Sequence, residues 1–394
     1  MKTLYLFTNY FPYSFQENFL EDEIRYLSKY FANVKIISFD NNAGVSRPLP
    51  DNCIVKNIPI SKDRFKYILR GIFHYKTIGI ITKEFFRNKV YSSKKRFYAW
   101  ASSVRYINNC LNNKELQSVI NDVKKDDVCY FYWGIGQCLL SIYLKDRCKT
   151  VARFHGEWDL WEESYGGFHS LRTDVAKSLN KAVFISQKGE NYFRQRYPFA
   201  DTIVFPLGSK DCGMQLSRPN DDIIRIVSCS TVYPLKRVPL IFEALNSLSE
   251  LNIEWTHIGG GTHFGQLKDI VNTSKRSHLR VNLLGMMTHE EVLDYYKKHH
   301  FDLFINMSTS EGVPVSIMEA MSFGIPILAT DVGSTSEEVV AQVGELLSSN
   351  PTIEEITTNI RKMLYSDYTP REFWMNHYNA EKNYEEFAYM IYNL

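Results

Sequence analysis

Residues 310–324, SEGVPVSIMEAMSFG, place one glutamate, Glu311, just before an apolar helical run and a second, Glu319, inside it. An acid set into a packed helix is costly unless a polar group meets it. Ahead of the helix, Gly312 lets a ligand approach the backbone closely, and Pro314 suits the first helical turn. The amides from Val315 onward then point out of a helix N-terminus, which favours an anion. A carboxylate accepts hydrogen bonds from two vicinal hydroxyls, while amides at a helix end hold phosphate. Acid and amides together fit a ligand carrying both hydroxyls and phosphates, as a nucleotide sugar does. The competing readings are a solvated loop acid for Glu311 and a dipole-favoured helix acid for Glu319.

Side chains of this kind are positioned by strands that end beside them, and the chain alternates short β-rich runs with amphipathic segments. KTLYLFT, VKIISF, CIVKNI, VCYFYW, TVARF, AVFIS and TIVFP read as strands in the first half. IIRIVSCS, IEWTHIG, LRVNLLG, FDLFINM and IPILATD do so in the second, with helices following at PLIFEALNSL, FGQLKDIVNTS, HEEVLDYYKKHH, PVSIMEAMSF and SEEVVAQ. Thr288 and Glu291 form a capping box, and Gly324 fits a left-handed helix end. The alternation predicts an α/β protein with two doubly wound parallel sheets. The polar, Gly- and Pro-containing stretch 209–222 is the expected linker. It separates an N-terminal Rossmann-like domain (1–208) from a nucleotide-sugar-binding domain (223–375), with a final helix (376–394) returning to the first domain. Ligands of open parallel sheets bind beyond the carboxyl ends of the strands, so two facing domains define one cleft.

Several motifs together carry a family resemblance. SEGVP (310–314), Glu319 with Ala320, GIP (324–326), DVG (331–333) and Glu337 form a pattern similar to the signature of retaining glycosyltransferases of family four, a group 1 glycosyltransferase family with the GT-B fold. The resemblance implies that Glu311 binds the donor sugar's hydroxyls near the reacting carbon and that Glu319 binds the ribose hydroxyls. Lys236, in SCSTVYPLKRV (228–238), falls where the family lysine contacts the donor diphosphate. Thr231 stands where the family often has an arginine, leaving Lys236 as the main cation unless Arg237 contributes. HIGGG (257–261) offers Gly259 for phosphate or merely a tight turn. LLGMMTHEEV (283–292) resembles the segment that meets the nucleobase, with Met286 or Met287 against the ring or else in the core. With Gly312, Val313, Pro314 and Val315, these make up the implied donor site. In RFHGEWDLW (153–161), His155 resembles the histidine near the sugar's 6-position, and Asp159 and Glu163 are acceptor candidates. The stretch 9–24 resembles the family's first loop and helix. It has Ser14, Phe15 and Gln16 where many members have a glycine pair, and Glu17 is a further acceptor candidate. The resemblance is strong over 223–345, weaker over 1–40 and 128–208, and absent over 60–110.

The implied reaction is transfer of a sugar from a nucleotide-sugar donor to a hydroxyl of a glycan or lipid-linked acceptor, with retention. No DxD triplet occurs in the chain, so a metal clamp on the diphosphate is not indicated and no cofactor is expected. A sugar-nucleotide epimerase or hydrolase and a non-catalytic binding module are the alternatives. A dinucleotide-dependent dehydrogenase is disfavoured, because the first strand runs into TNYFPYSF without GxGxxG.

Length and composition set the frame. A chain of 394 residues with 44% hydrophobic and 23% charged residues suits two soluble domains. No apolar run reaches membrane-spanning length, and MKTLYLFTNYF lacks the features of a signal peptide. Seven scattered cysteines without a CxxC pair read as free thiols in a reducing cytoplasm. The net charge of +2 conceals a segment, 62–105, with twelve Lys/Arg against two acids, or +10, leaving −8 for the rest. Aromatic and aliphatic residues are interleaved there, a pattern that suits an anionic membrane surface on the inner face of the cytoplasmic membrane. Ordinary surface helices are the competing reading. No nucleic-acid-binding motif is present, so a nucleic-acid partner is not expected.

Overall fold

The protein is described by a computed structural model covering residues 2–13, 17, 19–42, 44–60, 75–162, 167–274 and 277–394. Of the residues named above, Ser14, Phe15, Gln16 and Glu163 lie outside these, as does 62–74 of the basic segment. The chain forms two compact units, Met1–Phe205 with Tyr384–Leu394, and Pro206–Asn383.

The first unit is built on seven parallel strands: β1 (Thr3–Thr8), β2 (Asn33–Ser38), β3 (Cys53–Asn57), β4 (Val128–Phe131), β5 (Lys149–Phe154), β6 (Lys181–Phe184) and β7 (Thr202–Val204). Their order is β3-β2-β1-β4-β5-β6-β7, so the winding reverses between β1 and β4. β4 is buried at every position and β5 at all but its first, as expected for strands covered on both faces. One face packs Phe7, Phe131 and Phe154 against Ile107 and Leu140. The other packs Leu4, Leu6 and Tyr130 against Phe387, Ala388 and Ile391 of the C-terminal helix Ala380–Tyr392. That face also encloses a charge: Arg153 is fully buried, is paired with the equally buried Glu23, and lies 4.1 Å from the Phe387 ring centroid.

Two helices, Tyr75–Arg87 and Lys94–Asn112, carry the described part of the basic segment. They bury Thr77, Ile81, Glu84, Val104, Ile107, Cys110 and Leu111 and turn Tyr75, Ile78, Phe86, Phe97 and Tyr98 outward, and Tyr91 between them is exposed as well. Lys83, Lys94 and Lys95 on these helices, and Lys89 between them, are exposed as well. Both competing readings of the segment thus have a physical basis, with an apolar face that anchors the helices and an aromatic, basic face left in water.

The second unit has six parallel strands: β8 (Ile223–Cys229), β9 (Asn252–Ile258), β10 (Leu279–Gly285), β11 (Leu303–Asn306), β12 (Ile327–Thr330) and β13 (Gly344–Leu347), in the order β10-β9-β8-β11-β12-β13. β13 is absent from the sequence reading; Gly344 and Glu345 have low strand propensity, and pairing with β12 settles their conformation. The Thr288 capping box is present, and Gly324 has φ +81°. Residues 209–222 lie within this unit, where Gln215 bonds Phe301 and Asp211 pairs with Arg371.

Candidate functional site

In the second sheet the winding reverses between β8 and β11, so the loops leaving these neighbouring strands diverge from one point. One carries Lys236 at the end of a short turn, Pro234–Lys236, and the other carries Glu311. The Thr309 amide donates to the Leu235 carbonyl at 2.8 Å and ties the two loops together. Lys236 Nζ lies 2.6 Å from Glu311 Oε1, with the side chains 18% and 7% exposed. Asn306, the last residue of β11, donates from Nδ2 to the same oxygen at 3.2 Å. Arg237, the alternative cation, donates to the Met307, Ser308 and Ser349 carbonyls and to Asn350. Its role is therefore to fix the β11 loop. Gly333 explains part of the DVG motif: it has φ +57°, and a Cβ there would stand 1.8 Å from the Glu311 carbonyl oxygen. Only glycine lets the β12 loop press against the acid-bearing loop.

The helix after this loop runs Val315–Ser322, with Pro314 as a cap residue that provides no side-chain cap. Gly312, Val313, Pro314 and Val315 therefore lead into amides directed out of the helix beside the Lys236–Glu311 pair. Glu319 is buried on the same helix, and its Oε1 lies 2.7 Å from Nε2 of His289, the first residue of the helix His289–Lys298. The Glu319 charge also acts on Cys229, whose thiol is pushed up to about 12 by burial first and by Glu319 second.

The other donor-site candidates fall into two kinds. Met286 is 73% exposed rather than in the core, and its side chain lies beside Gly260. Thr231 is also exposed. Gly259 answers to packing: at φ +137° its Cβ would fall 1.9 Å from the Ser230 carbonyl oxygen, so it lets the β8 and β9 ends close on each other.

A further acid near this site is Glu338, fully buried at the end of the short helix Thr335–Glu338. Neither of its oxygens finds a hydrogen-bond partner among the described residues. Burial, then the charges of Glu311 and Glu337, hold its carboxyl well above the usual range.

In the first unit, His155 follows β5, flanked by the Tyr132 and Trp133 rings at centroid distances of 4.7 and 4.4 Å. Trp133 in turn stacks on Trp158 at 4.7 Å. Both His155 ring nitrogens are buried without a hydrogen-bond partner among the described residues, and Nδ1 stands 3.5 Å from Asp159 Oδ2. The two acceptor candidates have their carboxylates already engaged. Glu17, at φ +61°, accepts from the Asn9, Tyr10 and Phe11 amides and from Trp133 Nε1. Asp159 accepts from the His155 and Gly134 amides. Each holds a strand-end loop in shape, since buried carboxylates are stabilised by amides that would otherwise lack acceptors.

The fold thus joins Lys236 with Glu311, and Glu319 with His289, across gaps of 75 and 30 residues. Asn306, His289, Trp133, Trp158 and Glu338 were not singled out from sequence. Asn306 and Trp133 sit at or just past strand ends, and that position is the signal that could have found them. His289 had only its place after the Thr288 cap.

Residues 214–380 match the family described as Glycosyl transferases group 1. O-antigen biosynthesis glycosyltransferase WbnH of Escherichia coli is 38% identical over 80 residues, covering 20% of this chain and 21% of the relative. O-antigen biosynthesis glycosyltransferase WclY of Escherichia coli is 21% identical over 211 residues, covering 49% of this chain and 57% of the relative. The chain thus spans less than two thirds of the length of these relatives. Among solved structures, the lipopolysaccharide outer core galactosyltransferase WaaB in its apo form superposes with a TM-score of 0.69 at 13% identity, with 100% of both chains covered. Anabaena Alr3699/HepE in complex with UDP gives 0.64 at 14%, again with 100% of both covered. The chain has the GT-B fold of those structures, and its residues 214–380 are similar to the group 1 glycosyltransferases.

Proposed function

We propose that this protein is a retaining glycosyltransferase that moves a sugar from a nucleotide-sugar donor to a hydroxyl of a glycan or lipid-linked acceptor, with no metal or other cofactor. The observation that carries this reading is the Lys236–Glu311 pair at the open N-terminus of the Val315–Ser322 helix, with Glu319 on that same helix. The bond from the anomeric carbon to the diphosphate breaks, and a bond from the acceptor oxygen forms on the same face. The acceptor's proton leaves with the departing phosphate. Charge accumulates on that phosphate, where Lys236 and the amides after Pro314 stabilise it. One preorganised donor at such a site contributes about 2.7–4 kcal/mol against roughly 0.3–2 for a helix dipole, so the lysine is the larger effect.

Glu311 grips the sugar hydroxyls, Glu319 the ribose, and Met286 lies against the base, with Thr231 beside the phosphates. His155, its nitrogens without a hydrogen-bond partner among the described residues, serves the transferred sugar. Glu17 and Asp159 position the loops around it. UDP is the first nucleotide to try, because it is bound in Alr3699/HepE. The names of WbnH and WaaB support a setting in cell-surface polysaccharide or lipopolysaccharide assembly. No helix among the described residues is long and apolar enough to cross a membrane. Contact with an anionic membrane surface on the cytoplasmic side is proposed through the exposed face of Tyr75–Arg87 and Lys94–Asn112, where each basic residue contributes roughly 1 kcal/mol near the interface.

The test is donor consumption over a panel of UDP- and GDP-sugars in excess EDTA, with and without mixed glycan acceptors, for the wild type, Lys236→Ala and Glu311→Ala. Acceptor-dependent turnover that both substitutions abolish supports transfer. Turnover that needs no acceptor points to an epimerase or hydrolase, and unchanged rates in both variants sink the assignment.

A further inference from the structure

The first unit carries a pocket of about 180 Å³ beyond the ends of β1 and β2, closed on one side by the helix Lys94–Asn112. Ser102, Arg105, Tyr106 and Asn109 enter it from that helix at i, i+3, i+4 and i+7 spacing, which places them on one stripe. Asn41, just past β2, lines the opposite wall. Amide and hydroxyl groups around an aromatic ring are the chemistry that recognises a sugar, whose hydroxyls both donate and accept while its C–H face packs on the ring. The volume is that of a single ring. A second pocket of about 130 Å³ shares Ser102 and Tyr106 and is lined by Ser170, whose buried hydroxyl lacks a partner among the described residues. It adjoins the first as room for the next unit of a chain.

Charge makes the pocket selective. Arg105 is the one charged residue among its described lining, and no ion pair or hydrogen bond to it is found among the described residues. The Glu17 carboxylate, on the loop after β1, does not offset it, because it is engaged by three amides and an indole. A guanidinium presents a planar fork of donors matched to a carboxylate or phosphate.

We propose that this pocket is the acceptor site and that the acceptor sugar is anionic, its carboxylate or phosphate held by Arg105 and its hydroxyls by Ser102, Asn41 and Asn109. The acceptor role rests on the glycosyltransfer reading above; the anion preference is a property of the pocket itself.

The experiment titrates glucose, glucuronate and glucose 6-phosphate, which differ only at one carbon, into wild-type protein, Arg105→Gln, Asn109→Ala and Lys236→Ala, with binding read by saturation-transfer NMR. In the wild type one or both anions bind at least about tenfold more tightly than glucose, the scale of a charge-assisted pair. Arg105→Gln brings that anion to within about twofold of glucose, Asn109→Ala weakens all three, and Lys236→Ala leaves the preference intact. Whether glucuronate or the phosphate gains more identifies the anion. Equal binding of the three sugars, no binding of any, or a preference that survives Arg105→Gln overturns the proposal. UDP-dependent thermal stabilisation is measured alongside: its absence from the wild type counts against glycosyl transfer without altering the pocket result. Arg105→Gln keeps the wild-type UDP stabilisation, since its change is confined to the sugar pocket.

Discussion

Lys236 and Glu311, 75 residues apart in sequence, meet as an ion pair at 2.6 Å in which both side chains are more than four-fifths buried. A pair so placed has two consequences, one for stability and one for turnover. Removing one member leaves the other a buried charge without its counter-ion, which is costlier than removing both.

Lys236→Ala is expected to destabilise the second unit more than Lys236→Ala combined with Glu311→Ala. A double-mutant cycle of urea unfolding is expected to give a coupling of about 1 kcal/mol or more. In turnover, Lys236→Ala is expected to lower kcat by about 10²–10³, the scale for one lost electrostatic donor. A coupling near zero would mean that the contact has no energetic weight.

Glu319 makes a prediction about the nucleotide. If its carboxylate takes the ribose hydroxyls, 2′-deoxy-UDP binds the wild type about 10–100-fold more weakly than UDP, because a hydrogen bond to a charged group contributes about 1.5–3 kcal/mol. Glu319→Ala then binds both weakly and nearly alike. His289→Ala frees the Glu319 oxygen that the imidazole meets, so it should alter UDP affinity without erasing the difference between the two nucleotides. Calorimetry with the two nucleotides decides.

Glu338 imposes a pH dependence with a defined sign. Burial, then the neighbouring charges of Glu311 and Glu337, hold its carboxyl well above the usual range in the fold, which favours the protonated form. In the unfolded chain it ionises near about pH 4.3. Above that pH the folded state carries the extra proton, so this group's contribution to stability falls as pH rises, by up to about 1.4 kcal/mol per unit. Glu338→Met, similar in length and apolar, is expected to gain stability at pH 8 relative to wild type and to lose that advantage towards pH 4.5. Parallel stability curves for the two proteins would refute the assignment.

The buried Arg153–Glu23 pair anchors β5, the strand that ends at His155. Arg153→Met leaves Glu23 buried and uncompensated, and a loss of about 3–5 kcal/mol is expected. Arg153→Met with Glu23→Leu should recover most of it. Chemical unfolding followed by tryptophan fluorescence measures both.

Liposome flotation tests the exposed helical face. Lys89, Lys94 and Lys95 are the residues to reverse, since Arg96 donates to the Asn88 carbonyl and lies over Phe168 and is therefore structural. The triple change to glutamate is expected to abolish binding to vesicles with about 30% anionic lipid, a loss of roughly 1 kcal/mol or more per residue. Equal flotation of both proteins would return the face to an ordinary solvated surface.

The sequence by itself determined a good deal. Alternating strand and helix patterns specified two parallel sheets, because a strand buried on both faces must be apolar along its length and its crossover helix must be amphipathic. The SEGVP motif and the helix behind it located Glu311 and Glu319 for a like reason: loop glycine, first-turn proline and apolar helix face are local requirements, written in adjacent residues. What a side chain meets across the fold is not written that way. That Glu17 and Asp159 direct their oxygens at backbone amides, that Arg237 secures carbonyls while Lys236 reaches Glu311, and that Glu338 is sealed from water were decided by the tertiary structure. Those outcomes depend on which loops leave neighbouring strands at the point where each sheet reverses its winding, and strand order brings together residues separated by many tens of positions.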